Sequence, residues 1–206
     1  MLFHIWGRVS TILCWNANAL IFILMPIGAQ AQLTQNQAAP DARLQQAISH
    51  VLSQSSDHPY AAVLDYGANS SKRRFHIIER RTGQIHQSFV VAHGKGSDKD
   101  NLGMATTFSD VPGSLASSLG VFETGGTYRS RIPNHGQSLV LKGLSQSNAN
   151  AQSRAVVIHA NTYVEPRWLK RNGRPGRSHG CMVFSAKDRN EVVRLLKNGA
   201  LVFAIS

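Results

Sequence analysis

From Tyr60 to its C-terminal residue the chain is written in short runs of β-forming residues, each closed off by glycine, asparagine or serine, and this texture constrains the fold more than any other feature. The runs are "AAVLDY" (61–66), "RFHIIER" (74–80), "QIHQSFVVA" (84–92), "LGVFET" (119–124), "SLVLKGL" (138–144), "RAVVIHA" (154–160), "CMVF" (181–184) and "LVFAI" (201–205). The second and third meet across Thr82-Gly83, which predicts a hairpin. Helical periodicity is confined to two places. Asp41 is a plausible N-cap for a helix over 41–55, whose Leu44, Ile48, Val51 and Leu52 share one face and should pack on the main body. Near the end, Ser185 and Asp188 form an S-x-x-D cap, Val192, Val193, Leu195 and Leu196 supply an apolar face, and Gly199 marks the stop. Many strands and few helices predict a mainly β domain over 56–206, a mixed β-sandwich or partly closed barrel.

The first 31 residues have a different character. Arg8 is their only charged side chain, the apolar run "NALIFILMPIGA" follows, and "AQA" closes the segment. A basic start, an apolar stretch of about 7 to 15 residues and a small-x-small site make a secretory signal peptide, with cleavage expected after Ala31. The run is short of the ~20 residues that span a bilayer and Pro26 interrupts it, so no transmembrane segment is expected after removal. Residues 32–40, "QLTQNQAAP", read as a flexible linker. Export to the periplasm or cell envelope follows. The chain's formal charge is +11, and losing Arg8 leaves +10. That balance favours polyanionic surroundings; export speaks against nucleic acid, so the partners expected are anionic envelope polymers or headgroups, unless the surface is merely basic.

Cys14 leaves with the signal, so Cys181 in "GRSHGCMVFS" becomes the sole cysteine. Structural cysteines of oxidising compartments come in pairs; an odd one is reactive, intermolecular or buried and inert. Two histidines bear on the choice. His159 ends the apolar run "RAVVIHA", and His179 stands two residues before Cys181, on the same side of an extended segment. Gly180 between them lets the backbone come close to whatever the thiol attacks. A thiol of pKa near 8.5 needs an imidazole as base or cationic partner, and such a pair supports acyl transfer through a thioester. The backbone N–H groups of Gly180 and Cys181 are candidate oxyanion donors. Four other readings fit the residue types less well. Sortase-type acyltransferases place an arginine on a strand after the cysteine, whereas Arg189 and Arg194 fall on the predicted helix. A zinc site of His159, His179 and Cys181 lacks a nearby general-base glutamate. A silent wall-binding module would rest on charge alone. Papain-like peptidases order Cys before His.

"VVIHA" followed by "GRSHGC" resembles the YkuD-like L,D-transpeptidases, with their histidine, spacer and S-H-G-C. "VVAHGKGS", "SSLGVFETGGTYRS", "GQSLVLKGL" and "NANAQSRAVVIHANTYV" are similar to the murein L,D-transpeptidase catalytic domain branch, over roughly Tyr60 to Ile205. The resemblance implies a mixed β-sandwich, an envelope location, no metal or organic cofactor, and a cysteine enzyme acting on peptidoglycan stem peptides. It implies Cys181 as nucleophile, His159 as base, His179 and Ser178 in the site wall, and Gly180 shaping the oxyanion site. The family cleaves a tetrapeptide stem between the L-centre of a diamino acid and the terminal D-Ala and passes the acyl group to an amine. The acceptor is a second stem, an envelope lipoprotein or a free D-amino acid; the alternative is water, which would make the protein an L,D-carboxypeptidase or amidase. The chain departs from the broader family in having Ala160 after the base and "CMVF" where an arginine soon follows the cysteine. Arg177 is the expected carboxylate ligand in its place, or a solvated loop charge. Tyr128 and Tyr163 are further candidates for the substrate groove.

Overall fold

A computed structural model describes residues 42–206. The expected signal peptide and its cleavage point, the linker and the Asp41 cap lie outside the described residues. Eight strands form one sheet: β1 (Tyr60–Asp65), β2 (Arg73–Glu79), β3 (Ile85–Val90), β4 (Gly120–Arg129), β5 (Gln137–Gly143), β6 (Val157–Ala160), β7 (Met182–Phe184) and β8 (Leu201–Ile205). Their order is β3-β2-β1-β8-β4-β5-β6-β7. Just past β3, Ala92 bridges Val183 of β7 and donates its N–H to the Val183 carbonyl at 2.9 Å, so the two edges of the sheet meet and nearly close a barrel. The predicted mainly β class holds, and the sheet is mixed: β1/β8 and β6/β7 are parallel, the remaining neighbours antiparallel.

Period-two alternation builds the core on both faces of the central strands. Ala62 and Leu64 of β1, with Val202 and Ala204 of β8, face the main core with Phe75, Phe89 and Phe184. The Phe75 and Phe184 rings meet edge to face at 5.0 Å. Helix α3 (Ala186–Leu196) covers this core with Val192, Val193, Leu195 and Leu196, and its N-cap Ser185 Oγ accepts the Asp188 N–H at 3.1 Å, the cap expected from the S-x-x-D pattern. Ala61, Val63 and Leu201 point the other way, into a second core. There helix α1 (42–53) lays down Ala47, Ile48 and Val51. No described helix is long and apolar enough to cross a membrane.

Two differences from the sequence-based expectation shape the site. Strand β4 runs on to Arg129, past a register shift between Thr124 and Thr127 that absorbs Gly125-Gly126, so the β4–β5 hairpin reaches over the sheet end and carries Tyr128, Ile132 and His135. A third helix, α2 (Pro166–Asn172), lies in the crossover that the parallel β6/β7 pair requires. Pro166 opens α2, and Gly173, at φ 73°, closes it with a hydrogen bond to the Leu169 carbonyl.

Candidate active site

Met182 of β7 pairs with Ile158 of β6, so Cys181 and His159, each one step from that pair, are diagonal neighbours on one face of adjacent strands. Both line a cavity of about 370 Å³. Tyr128, Tyr163, Arg177, Ser178 and His179 line it too, so seven of the eight candidate residues converge on one hollow. The eighth, Gly180, sits behind the thiol at φ 119°; a Cβ there would come within 2.8 Å of the Ala116 carbonyl oxygen, which explains the glycine. His179 is exposed at the mouth, whereas Ser178 is buried and ties the turn together, donating its hydroxyl to the Cys181 carbonyl at 2.8 Å and accepting the Gly180 N–H at 3.1 Å. The Gly180 N–H, expected as an oxyanion donor, is therefore already committed. Of that pair the Cys181 N–H is left.

His159 is buried, and its Nδ1 lies 2.9 Å from the Ala160 carbonyl oxygen. A carbonyl only accepts, so the proton sits on Nδ1 and Nε2 carries the free lone pair. Burial pushes the imidazole down to about 4; the Ala160 hydrogen bond opposes this, and the charges of His135 and Arg189 reinforce it. Burial also pushes the Cys181 thiol up from its ordinary value, against a hydrogen bond from the Val157 backbone and the charge of Arg154. Opposite shifts favour a neutral thiol beside a neutral imidazole at rest. The thiol points at the Ala155 carbonyl, with Sγ 3.6 Å from its oxygen. Among the described residues no three His, Cys, Asp or Glu side chains form a metal-binding group, so the zinc reading has no site in this geometry.

Three features escaped the sequence reading. Arg154, read there as the start of a strand, is a turn residue whose buried guanidinium donates to the Ser109 carbonyl (2.9 Å), the Ser118 hydroxyl (2.7 Å) and the Ala116 carbonyl (2.7 Å), with Asp110 at 3.3 Å. It pins the 109–118 loop beside the thiol. The signal was a lone charge heading an almost wholly apolar run. His135, in the turn "NHG", stacks on His159 with centroids 3.6 Å apart and planes inclined by 21°. Its carbonyl accepts the Ala160 N–H (3.2 Å) and an Arg189 N–H (3.0 Å), which fixes the hairpin end over His159. We expect His135→Ala to lower kcat/KM about tenfold through loss of a stacked pair, and His135→Phe to restore it. Because the His135 charge depresses His159, both variants should move the acid limb of the pH–rate profile upward.

The third is a buried chain of polar groups behind the site. His93 Nδ1 lies 2.8 Å from Arg74 Nη2 and Nε2 lies 3.1 Å from Asp98 Oδ2, while its carbonyl accepts the Ser178 N–H at 2.8 Å. Burial, with the Arg74 charge next, pushes His93 to about 4, so it is neutral, accepting from the arginine and donating to the carboxylate. Both His93 and His159 sit well below the ordinary histidine value near 6.5, so the unfolded chain binds more protons than the native one between those limits. Stability is fully present above pH 6.5 and is lost as pH falls through 4, with a slope of about 3 kcal/mol per pH unit for two histidines. Urea midpoints between pH 6.5 and 4.5 test this; a flat dependence would contradict it.

The L,D-transpeptidase catalytic domain family model matches residues 34–205, and the chain belongs to that family. No curated protein matches it. Among solved structures it is similar to an L,D-transpeptidase from Mycobacterium smegmatis (13% identity, TM-score 0.44, covering 72% of this chain and 59% of that one). It is also similar to Bd1075 of Bdellovibrio bacteriovorus (14%, 0.46, 74% and 51%) and the helical cell shape determining protein Pgp2 of Campylobacter jejuni (12%, 0.45, 77% and 53%). The chain thus spans about half to six tenths of the length of these neighbours.

Proposed function

We propose that the protein is an exported cysteine acyltransferase that acts on peptidoglycan tetrapeptide stems through a Cys181 thioester. The observation that carries this reading is the meeting, in one cavity, of the Cys181 thiol, an imidazole with its Nε2 lone pair free, and a buried guanidinium behind the sulfur. His159 Nε2 takes the thiol proton as Sγ attacks the carbonyl between the L-centre of the diamino acid and D-Ala. The Cys181 N–H donates to the oxyanion, and Arg154 stabilises the sulfur's charge as it forms. Collapse breaks the C–N bond, D-Ala leaves as the amine with the proton from His159, and an acceptor amine attacks the thioester with His159 again as base, breaking the C–S bond and returning the proton to the Cys181 sulfur. Arg177 spends one nitrogen on the Asp98 and Lys99 carbonyls, leaving its other donors for a substrate carboxylate. Burial and then the Cys181 charge push the Tyr163 phenol above its ordinary range, so it serves as a hydrogen-bond donor.

Because the resting pair is neutral, the base stays competent until His159 itself protonates. Activity should hold from neutrality to about pH 5 and decline through pH 4, the value to which His159 is pushed. Purified sacculi treated with wild type and Cys181→Ala, followed by mass analysis of the muropeptides, test the reaction. New diamino-to-diamino bridges identify transpeptidation, loss of terminal D-Ala without bridges identifies hydrolysis, and identical products from the two proteins contradict both.

A further inference from the structure

The crossover between β6 and β7 carries Arg167, Lys170, Arg171, Arg174 and Arg177 within twelve residues, against one acid, Glu165. That acid is engaged: its Oε1 accepts the Ala186 N–H at 2.7 Å. Two hollows outside the catalytic cavity open here, and both are lined by Trp168. The larger, about 310 Å³, is flanked by Arg167 and Arg171, whose guanidinium lies 5.5 Å over the indole. The smaller, about 100 Å³, is flanked by Arg174. Trp168 Nε1 and Arg174 Nε are both buried and without a hydrogen-bond partner among the described residues, and both belong to side chains lining that smaller hollow. Buried donors left unpaired are costly and point to an acceptor that arrives from outside.

We infer that this surface is a second binding site, for a carboxylate of a neighbouring peptide stem in the same polymer whose reacting stem lies in the catalytic cavity. The inference rests on the peptidoglycan reading above. Continuity supports it: Thr162 lines the larger hollow and Tyr163 the cavity, while Gly176 lines the smaller hollow and Arg177 the cavity, so two adjoining segments of chain carry both. A polymer anchored at the thiol would be carried by these segments toward the arginines. Recessed N–H groups suit a carboxylate held inside a hollow better than a flat lipid surface.

The test is co-sedimentation with purified peptidoglycan, using the full chain carrying Cys181→Ala so that binding is read apart from turnover. Arg167→Gln/Arg171→Gln/Arg174→Gln in that background should weaken binding about tenfold or more, and amidating the polymer's carboxyl groups should weaken the Cys181→Ala protein to the same level. Trp168→Phe, which keeps an aromatic ring but removes the N–H together with the fused five-membered ring, should weaken it by a smaller factor. With Cys181 present, the triple arginine variant should turn over a free tetrapeptide at the wild-type rate and lose rate only on the polymer. Equal binding by the triple variant, equal binding to amidated polymer, or equal binding to phosphatidylglycerol vesicles through the same residues each overturns the inference. A wild-type protein that binds polymer through these arginines but processes neither substrate instead overturns the catalytic reading.

Discussion

Cys181→Ala should abolish acyl transfer, by about 10⁴-fold or more in kcat/KM, while leaving the unfolding temperature nearly unchanged. The side chain is half-buried and its polar contacts are with the Ala155 carbonyl and the Val157 backbone, so little packing is lost with it. His159→Gln should cost about 10² to 10⁴-fold, the range for removing a positioned general base. The two act on one proton, so the double variant should be no slower than Cys181→Ala alone. Additive losses would mean that the imidazole serves some step other than deprotonating the sulfur. Circular dichroism guards the His159 variant against a trivial outcome, because that ring is buried under His135.

Arg154→Met should be the most destabilising exchange at the site. It leaves Asp110 without its cation and frees two carbonyls and a hydroxyl from a guanidinium whose side chain is only 4% exposed. Breaking a buried pair from one side costs about 3–5 kcal/mol, which in a domain of this size lowers the unfolding temperature by on the order of 10 °C. Arg154→Lys keeps the charge and loses the fork, and should fall between. The Arg154 charge holds the Cys181 thiol down against burial, so the pH dependence of alkylation in Arg154→Lys should stay closer to wild type than in Arg154→Met. An unfolding temperature unmoved by Arg154→Met would show that the 109–118 loop does not depend on this anchor.

The class of fold was legible because alternation in β1 and β8 serves a core on each face, leaving runs such as "AAVLDY" and "LVFAI" in plain view. Helix α3 was legible through its Ser185 cap. Helix α2 was not, since seven residues without one buried side chain leave no apolar periodicity; Pro166 and Gly173 were its only marks. The residues from Arg177 to Cys181 read as one group because they are close together in sequence, and His159 joined them as the end of an apolar strand; all but Gly180 line one cavity. His135 and Arg154 were missed because their contacts, ring on ring at His159 and guanidinium to the 109–118 loop, are long-range and have no local signature. The commitment of the Gly180 N–H to Ser178 likewise depends on a turn geometry that "SHGC" does not reveal.

A strained β-lactam such as a carbapenem offers the proposed nucleophile an acyl donor that cannot depart as a separate amine. Intact-protein mass spectrometry of the reduced, folded protein after exposure is therefore the most direct measurement of the central claim, that Cys181 is acylated with His159 as its base. The account predicts one drug mass added to wild type, slow addition to His159→Gln and none to Cys181→Ala. An unmodified wild type, or equal modification of Cys181→Ala, would contradict it.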